Sequence, residues 1–383
     1  MNNTLILILV VATALAFDFT NGFHDTANSV APTIATGALK PRTAVAFSAT
    51  LNVVGAFLSL KVAATIASSI VDQTSVTLAI VFAGLAGAIA WNITTWFFGL
   101  PSSSSHALIG GVVGAMFASV GSAGVLWHGI AAKVFVPGII APLVALLVAG
   151  IATVVSRAAT SRVDDSARTI GMRVGQIGAS GLQSIAHGTN DAQKTMGVIT
   201  LALVANGTLT ADAAVPGWVI WTCALAMALG TFIGGWRIIR TMGHGLTHID
   251  PTQGFAAQMS SSVVLLTSSH LGLPLSTTYV ATGSVVGTGI ATRGRKVHWN
   301  VAGRVVAAWL ITLPAAGLVG AAMYGIESLF SNSFGEIAVA ILLAAYATGI
   351  FLRSRRQVVD HTNVNEPWKS ELEEPAVTAV AAA

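Results

Sequence analysis

The sequence predicts an all-α polytopic membrane protein made of two inverted-topology repeats with broken helices and re-entrant helical hairpins. Three observations predict it. Of 383 residues, 54% are hydrophobic and 9% charged, against roughly 25% charged in a soluble domain. Apolar runs recur at the length of a helical bilayer crossing, about 20 residues. Two kinds of polar motif interrupt those runs, and each kind occurs once in either half of the chain, in the same order.

Residues 4–39 come first. No Lys or Arg precedes their apolar run, so MNNT lacks the basic region of a cleaved signal peptide and the run reads as a first membrane segment. The stretch is too long for one straight helix and carries Asn-Gly in its middle, which predicts a broken crossing. A full span follows at 43–70. Residues 77–122 are split by Gly-Leu-Pro and hydroxyl residues, which suits a hairpin turning at its Pro-Ser tip, and a span at 133–156 closes the first repeat, 1–156. A basic linker, 157–173, leads to the second repeat, 174–324. It runs through a broken crossing at 174–206, a full span at 217–236, a hairpin at 254–290 and a full span at 301–324. An additional helix (325–356, spanning at 333–352) precedes a polar, Pro-containing and Ala-rich tail, 357–383, whose composition predicts disorder.

Cation placement sets the orientation. Lys40/Arg42, Arg157/Arg162/Arg168/Arg173, Arg237/Arg240, Arg293/Arg295/Lys296 and Arg353/Arg355/Arg356 can all be cytoplasmic at once, with Asp72, Asp212 and Glu327 on the opposing loops. That requires both hairpins to re-enter, facing opposite ways. The N-terminus is then outside, the C-terminus cytoplasmic, and the protein multi-pass in the cell membrane. The net charge of +4, from 19 Lys+Arg against 15 Asp+Glu, sits in these loops. The partner it implies is a lipid bilayer and not nucleic acid. The single cysteine, Cys223, excludes an intramolecular disulfide and a cysteine metal cluster.

The chemistry concentrates in the paired motifs. NGFHDTAN (21–28) aligns with AHGTNDAQK (186–194), placing Gly22 over Gly188 and Asp25 over Asp191. An ionisable side chain at membrane depth costs at least about 2.5–3.5 kcal/mol, so such a residue reads as functional until shown otherwise. A central Asp25–Asp191 pair reads as a cation or proton site, with Asn21 beside it. The competing reading is that each aspartate only caps a half-helix. Asn28 and Asn190 can offer carbonyl oxygens to a cation or amide groups to an anion, and are assigned with the anion. Ser103, Ser104 and Ser105 at one hairpin tip align with Ser276, Thr277 and Thr278 at the other. Hydroxyls at a helix start, beside free backbone N–H groups and the positive end of the helix dipole, make an anion cradle. Alternatively, Pro-Ser is simply the cap of a tight turn. His24, His106 and His187 lie in or beside the motifs as structural residues or ligands. Lys194 either neutralises Asp191, faces the substrate or reaches toward an interface. No metal-ligand spacing appears, and the glycines at 110, 111, 114, 283 and 287 read as close-packing positions.

NGFHDTANSVA, GTNDAQKTMG and the paired PSSSSH and PLSTTY segments resemble the duplicated signature of the inorganic phosphate transporter (PiT) family, over nearly the whole chain apart from its tail. The resemblance implies symport of inorganic phosphate with sodium or protons, carried in some bacterial members as a metal–phosphate complex. It implies no resident cofactor beyond the co-transported Na+ or H+, and leaves a homo-oligomer open. The family's tips usually read Pro-x-Ser-Thr-Thr-His. Here the first is all serine before His106, and the second has Tyr279 in place of histidine. The rival readings are a cation or divalent-metal transporter without an anion substrate and an intramembrane serine hydrolase using Ser104 or Ser105 with His106. The hydrolase is disfavoured because adjacent residues cannot easily bring a base within about 2.6–3.2 Å of the hydroxyl.

Overall fold

The computed structural model describes residues 3–294, 297–330 and 334–366, which leaves Arg295 and Lys296 and the tail from 367 outside the described residues. The described chain is helical, and the first thirteen of its helices fall into two runs of one order. The first run starts with α1 (Asn3–Ala35), α2 (Pro41–Ala56) and α3 (Lys61–Ser69). It continues with α4 (Leu78–Phe97), α5 (Ser104–Val120), α6 (Trp127–Ile130) and α7 (Val136–Ala159). The second run comprises α8 (Asp165–Ala205), α9 (Gly217–Ile233), α10 (Trp236–Arg240), α11 (Pro251–His270), α12 (Thr277–Ile290) and α13 (Trp299–Ser328), and α14 (Phe334–Ser354) follows. Six of these helices, counting α6–α7 as one, are long and apolar enough to cross a bilayer, and two bent pairs raise the number to as many as eight.

The two stretches expected to be broken are not. α1 and α8 are continuous, at 33 and 41 residues, or about 50 and 60 Å at 1.5 Å per residue. The breaks fall in the next element of each run. α2 and α3 meet at 71°, and α9 meets the segment 236–245 at 61°, where 43–70 and 217–236 had read as straight spans. The reason lies in what the glycines do. A Cβ on Gly22 would sit 2.3 Å from Met227 O on α9, and one on Gly188 would sit 2.2 Å from Asn52 O on α2. Each glycine lets its helix touch another backbone, so its weak helix propensity is offset by packing. At the second bend Gly234 holds a φ of 78°, a conformation few other residues adopt. At the first, the Gln193 side chain of α8 accepts from Val62 N (2.9 Å) and Ala63 N (3.3 Å), satisfying two of the free N–H groups at the start of α3.

Packing is reciprocal between the runs. α1 lies on α9 and α8 on α2, while α5 lies on α13 and α12 on α7. The glycines marked as packing positions sit at the latter contacts: a Cβ on Gly110 or Gly114 would strike Leu313 O or Gly317 O, and one on Gly283 or Gly287 would strike Pro142 O or Leu146 O. Polar side chains face inward on α1, α8, α11 and α12, whereas Leu143, Leu147 and Ile151 of α7, Leu310 and Leu318 of α13, and Ile341 and Phe351 of α14 are exposed. An apolar outside around a polar inside is what a bilayer solvent selects.

The disorder expected of 357–383 does not hold over 357–366, which dock against one end of the helices. Val364 is buried in a cluster that includes Ala27, Val30 and Ala31 of α1 and Ala281 of α12. Arg237 donates to Ser354 O (3.1 Å) and Gln357 O (2.5 Å), and Arg240 to Asn363 O (2.5 Å). One apolar side chain and two guanidinium anchors supply what composition alone did not register.

Candidate functional site

Two helical hairpins, α4–α5 and α11–α12, turn at Gly99 and Gly272, whose φ values are 65° and 70°. Their tips meet each other: Ser105 Oγ lies 3.4 Å from Leu275 O. Ser103 caps α5 by accepting from His106 N (3.1 Å), and Ser276 caps α12 by accepting from Tyr279 N (3.3 Å). These two serines therefore serve the turns. The next residues face the long helices.

Asp25 of α1 and Asp191 of α8 come together beneath the tips, 2% and 0% exposed. The Ser104 hydroxyl donates to Asp25 Oδ1 (3.1 Å). Thr277 donates to Asp191 Oδ2 (2.8 Å) and stands 3.4 Å from Asp25 Oδ2, so one hydroxyl of the second hairpin touches both carboxylates. Thr278 Oγ1 is 3.4 Å from Asp25 Oδ1. Lys194 Nζ is bound to Asp191 Oδ1, to Ser105 Oγ (2.5 Å) and to Leu275 O (2.7 Å). Of the readings open for Lys194, the geometry shows neutralisation of Asp191 and attachment to both tips. Asn28, its counterpart in the alignment, donates to Thr277 and Thr278 Oγ1, each at 3.1 Å. Each long helix thus holds the opposite half's tip.

The histidines divide. His24 bridges Asp25 Oδ1 (2.6 Å) and Thr95 Oγ1 (3.0 Å), and His187 Nε2 stands 2.9 Å from Asp191 Oδ2. His106 is turned away: it pairs with Ser103 Oγ at 2.7 Å and stacks on Tyr279, centroids 4.9 Å apart, which in turn stacks on Trp309 at 4.1 Å. His106 and Tyr279, which occupy one aligned position of the two hairpins, form a ring stack between the tips.

Among the asparagines with an unpartnered buried Oδ1 are the three of the paired motifs, Asn21, Asn28 and Asn190. The amide nitrogens of Asn28 and Asn190 are occupied, Asn190 donating to Ser269 Oγ (2.9 Å). What these two present is an acceptor oxygen, which suits a cation or a phosphate O–H and not a bare phosphate oxygen. Although the sequence shows no metal motif, folding brings single ligand atoms of Asp25, His187 and Asp191 within 4.8 Å of one another. His187 and Asp191 are one turn apart on α8, but Asp25 joins them only through tertiary packing. Sequence reasoning assigned no site role to Asp18, Thr195, Thr95 or Ser102. Asp18 and Thr195 are fully buried beside the motifs, and Ser102 donates to Thr95 Oγ1 at 2.9 Å. For Asp18 a signal existed, a carboxylate inside a run of hydrocarbon residues.

Residues 21–320 match the model of the phosphate transporter family. The chain belongs to that family. Relatives of this transporter include a protein of Mycobacterium tuberculosis named "Probable low-affinity inorganic phosphate transporter", 57% identical over 96% of this chain and 88% of that one. One of the same name in Bacillus subtilis is 41% identical over 85% and 98%. A solved structure titled "The sodium-dependent phosphate transporter" superimposes with a TM-score of 0.74 at 23% identity, over 85% of this chain and 99% of that one. The family is one of transporters, so the serine hydrolase reading falls. The Ser103–His106 pairing is a helix cap.

Proposed function

We infer that this chain carries inorganic phosphate across the cell membrane by symport with a cation, binding phosphate between the hairpin tips and the cation at the Asp25–Asp191 pair. The carrying observation is the fully buried meeting point of both tips with both aspartates, where hydroxyl groups at two helix starts face two carboxylates and one ammonium. The first-turn N–H groups of α5 and α12 lack intrahelical acceptors and offer donors for phosphate oxygens. Sodium is the favoured partner ion over the proton. The oxygens left unpartnered on Asn21, Asn28 and Asn190 suit a hard cation, and the superimposed structure is titled sodium-dependent. Reciprocal packing of the two runs supports a repeat, 1–156 against 174–324, and the placement of Lys and Arg supports its inversion, with the N-terminus outside and the linker and C-terminus inside. Single cysteines at Asp72 and Asp212 would then label from outside intact cells, and one at Ser161 would not.

A second reading is favoured by the Asp25–His187–Asp191 cluster, whose imidazole and carboxylates suit a divalent ion travelling with phosphate as one complex. Uptake of labelled phosphate into proteoliposomes, with sodium and pH gradients imposed separately and divalent ions present or chelated, tests both. Phosphate uptake driven by a sodium gradient without divalent ions supports the first reading, and an absolute need for divalent ions the second. No phosphate uptake under any gradient refutes both.

A further inference from the structure

We propose that the seam between α7 and α11 binds an anionic phospholipid, its phosphodiester held between Arg157 and Arg168 and one acyl chain laid in the apolar groove farther along the same two helices. The end of the seam that carries the arginines lies on the side that Lys and Arg placement assigns to the cytoplasm. Neither the phosphate site nor the cation site proposed above uses these residues.

The last turn of α7, the turn after it, the start of α8 and the start of α11 border a cavity of about 390 Å³, lined by Arg157, Ser161, Arg168, Thr169, Asp250 and Thr252. Asp250 is committed on both oxygens: Oδ1 accepts from Gln253 N (3.0 Å), capping α11, and Oδ2 accepts from Arg157 (2.5 Å). Arg168 pairs with Asp165 (2.5 Å), whose side chain is 88% exposed, so water and salt weaken that pair. Each guanidinium is engaged through Nη2, one nitrogen of a fork that carries five N–H donors. Two guanidiniums against one carboxylate leave the lining with one positive charge in excess, the complement of a singly charged phosphodiester. The Ser161, Thr169 and Thr252 hydroxyls and the positive end of the α11 dipole add to the attraction.

The apolar end identifies the anion as a lipid. Leu147, Ile151 and Val155 of α7 are exposed at spacings of four, a stripe that leads to the arginine end. Farther along, Ile140, Val144 and Val148 of α7 and Val263, Thr267 and Leu271 of α11 line a groove of about 470 Å³. Val148 precedes Arg157 by nine residues and Val263 follows Thr252 by eleven, or about 14 and 17 Å at 1.5 Å per residue. One leaflet's hydrocarbon is about 15 Å deep, half of the roughly 30 Å core. A phospholipid with its phosphate in the cavity therefore brings a chain to the groove, which free phosphate does not fill. Basic pockets between membrane helices on the cytoplasmic side are where anionic headgroups bind. Leu275 lines the same groove and its carbonyl accepts from Lys194 (2.7 Å), so the chain reaches a hairpin tip.

Binding of radiolabelled phosphatidylglycerol to the purified full-length chain in detergent micelles, with phosphatidylcholine and inorganic phosphate as competitors, tests the proposal. Wild type should prefer phosphatidylglycerol to phosphatidylcholine, whose headgroup has no net charge. Arg168→Gln should weaken phosphatidylglycerol binding about fivefold, and the double variant Arg157→Gln/Arg168→Gln roughly twentyfold. Arg168→Gln disturbs an exposed pair, and serves alone if the loss of Asp250's partner unfolds the double variant. Val144→Trp fills the groove and should weaken binding of the long-chain lipid while leaving that of a short-chain phosphatidylglycerol. Arg355→Gln/Arg356→Gln removes two arginines that do not line the cavity and should bind as wild type. Equal affinity for the two lipids, or wild-type binding in Arg168→Gln, would overturn the proposal. So would displacement of the labelled lipid by excess inorganic phosphate with Val144→Trp unaffected, which would make the cavity a free-anion site. A changed oligomeric state in Val144→Trp with lipid binding intact would also overturn it, making the groove an interface between copies.

Discussion

Replacing Lys194 by Met removes one charge from the centre of the protein and keeps the length of the side chain. The ammonium is 2% exposed and is held by Asp191, Ser105 and the Leu275 carbonyl. Without it Asp191 keeps only the Thr277 hydroxyl at 2.8 Å and the His187 ring at 2.9 Å. Breaking a buried ion pair from one side destabilises by about 3–5 kcal/mol, against roughly 0–1 kcal/mol for an exposed pair. At about 2–4 °C per kcal/mol for larger domains, the unfolding midpoint should fall on the order of 10 °C. Adding Asp191→Asn removes the orphaned charge, so the double variant should recover much of the loss and give a coupling of about 2 kcal/mol or more. Sodium can also stand in for the ammonium, so the midpoint of Lys194→Met should climb with sodium more steeply than that of wild type. Thermal unfolding of purified protein, followed at several sodium concentrations, reads all three. A Lys194→Met midpoint within a degree or two of wild type, or a double variant weaker than either single one, would refute a buried pair that acts as described.

Gly188→Val should abolish folded protein, because a Cβ there would meet Asn52 O at 2.2 Å, while Gly178→Ala, with nothing within 4 Å, should be tolerated; size-exclusion profiles of tagged protein distinguish them. Asp25→Asn and Asp191→Asn should each shrink the sodium dependence of phosphate binding, and wild-type dependence in both would leave these carboxylates as structural residues. Thr277→Val deletes the hydroxyl shared by the two aspartates, worth roughly 1.5–3 kcal/mol for a hydrogen bond to a charged group, and should alter sodium affinity along with phosphate affinity. Val364→Asp should release 357–366 from α1 and α12, detected as faster proteolysis of the tail with the helices intact.

The membrane class and the pairing of motifs were legible because they depend on local composition and on repetition. Each hairpin could be read from Gly-Leu-Pro followed by hydroxyls, since a turn needs those residues whatever surrounds it. The continuity of α1 and α8 was not legible. Asn-Gly and His-Gly signal a break in isolation, and only Met227 on α9 and Asn52 on α2, far away in sequence, make Gly22 and Gly188 packing surfaces instead. The site followed the same division. Asp25 and Asp191 stand out as a duplicated carboxylate, whereas Asp18 has no counterpart, Ser184 occupying the aligned position. The amide orientation of Asn28 and Asn190 depends on the hairpin hydroxyls and carbonyls they meet across the fold, which no spacing within one motif encodes.

The arrangement of donors gives a physical reason for coupling on the proposed reading. Two carboxylates and one ammonium leave the centre with one net negative charge when His24 and His187 are neutral, so phosphate alone meets repulsion. It also meets a shortage of donors. A hydroxyl has one hydrogen, and those of Ser104 and Thr277 are directed at Asp25 and Asp191. A cation bound to the carboxylates satisfies the same oxygens that these hydroxyls now serve, and the hydroxyls can then turn to phosphate. One event thus removes the charge barrier and supplies the donors. Linkage makes the effect mutual, since an ion that raises phosphate affinity has its own affinity raised by the same factor. Phosphate binding should accordingly be weak in sodium-free buffer and strengthen as sodium is added. Full-strength binding of phosphate without any cation would show that the hydroxyls face phosphate already, and that the aspartates beneath them take no part in admitting it.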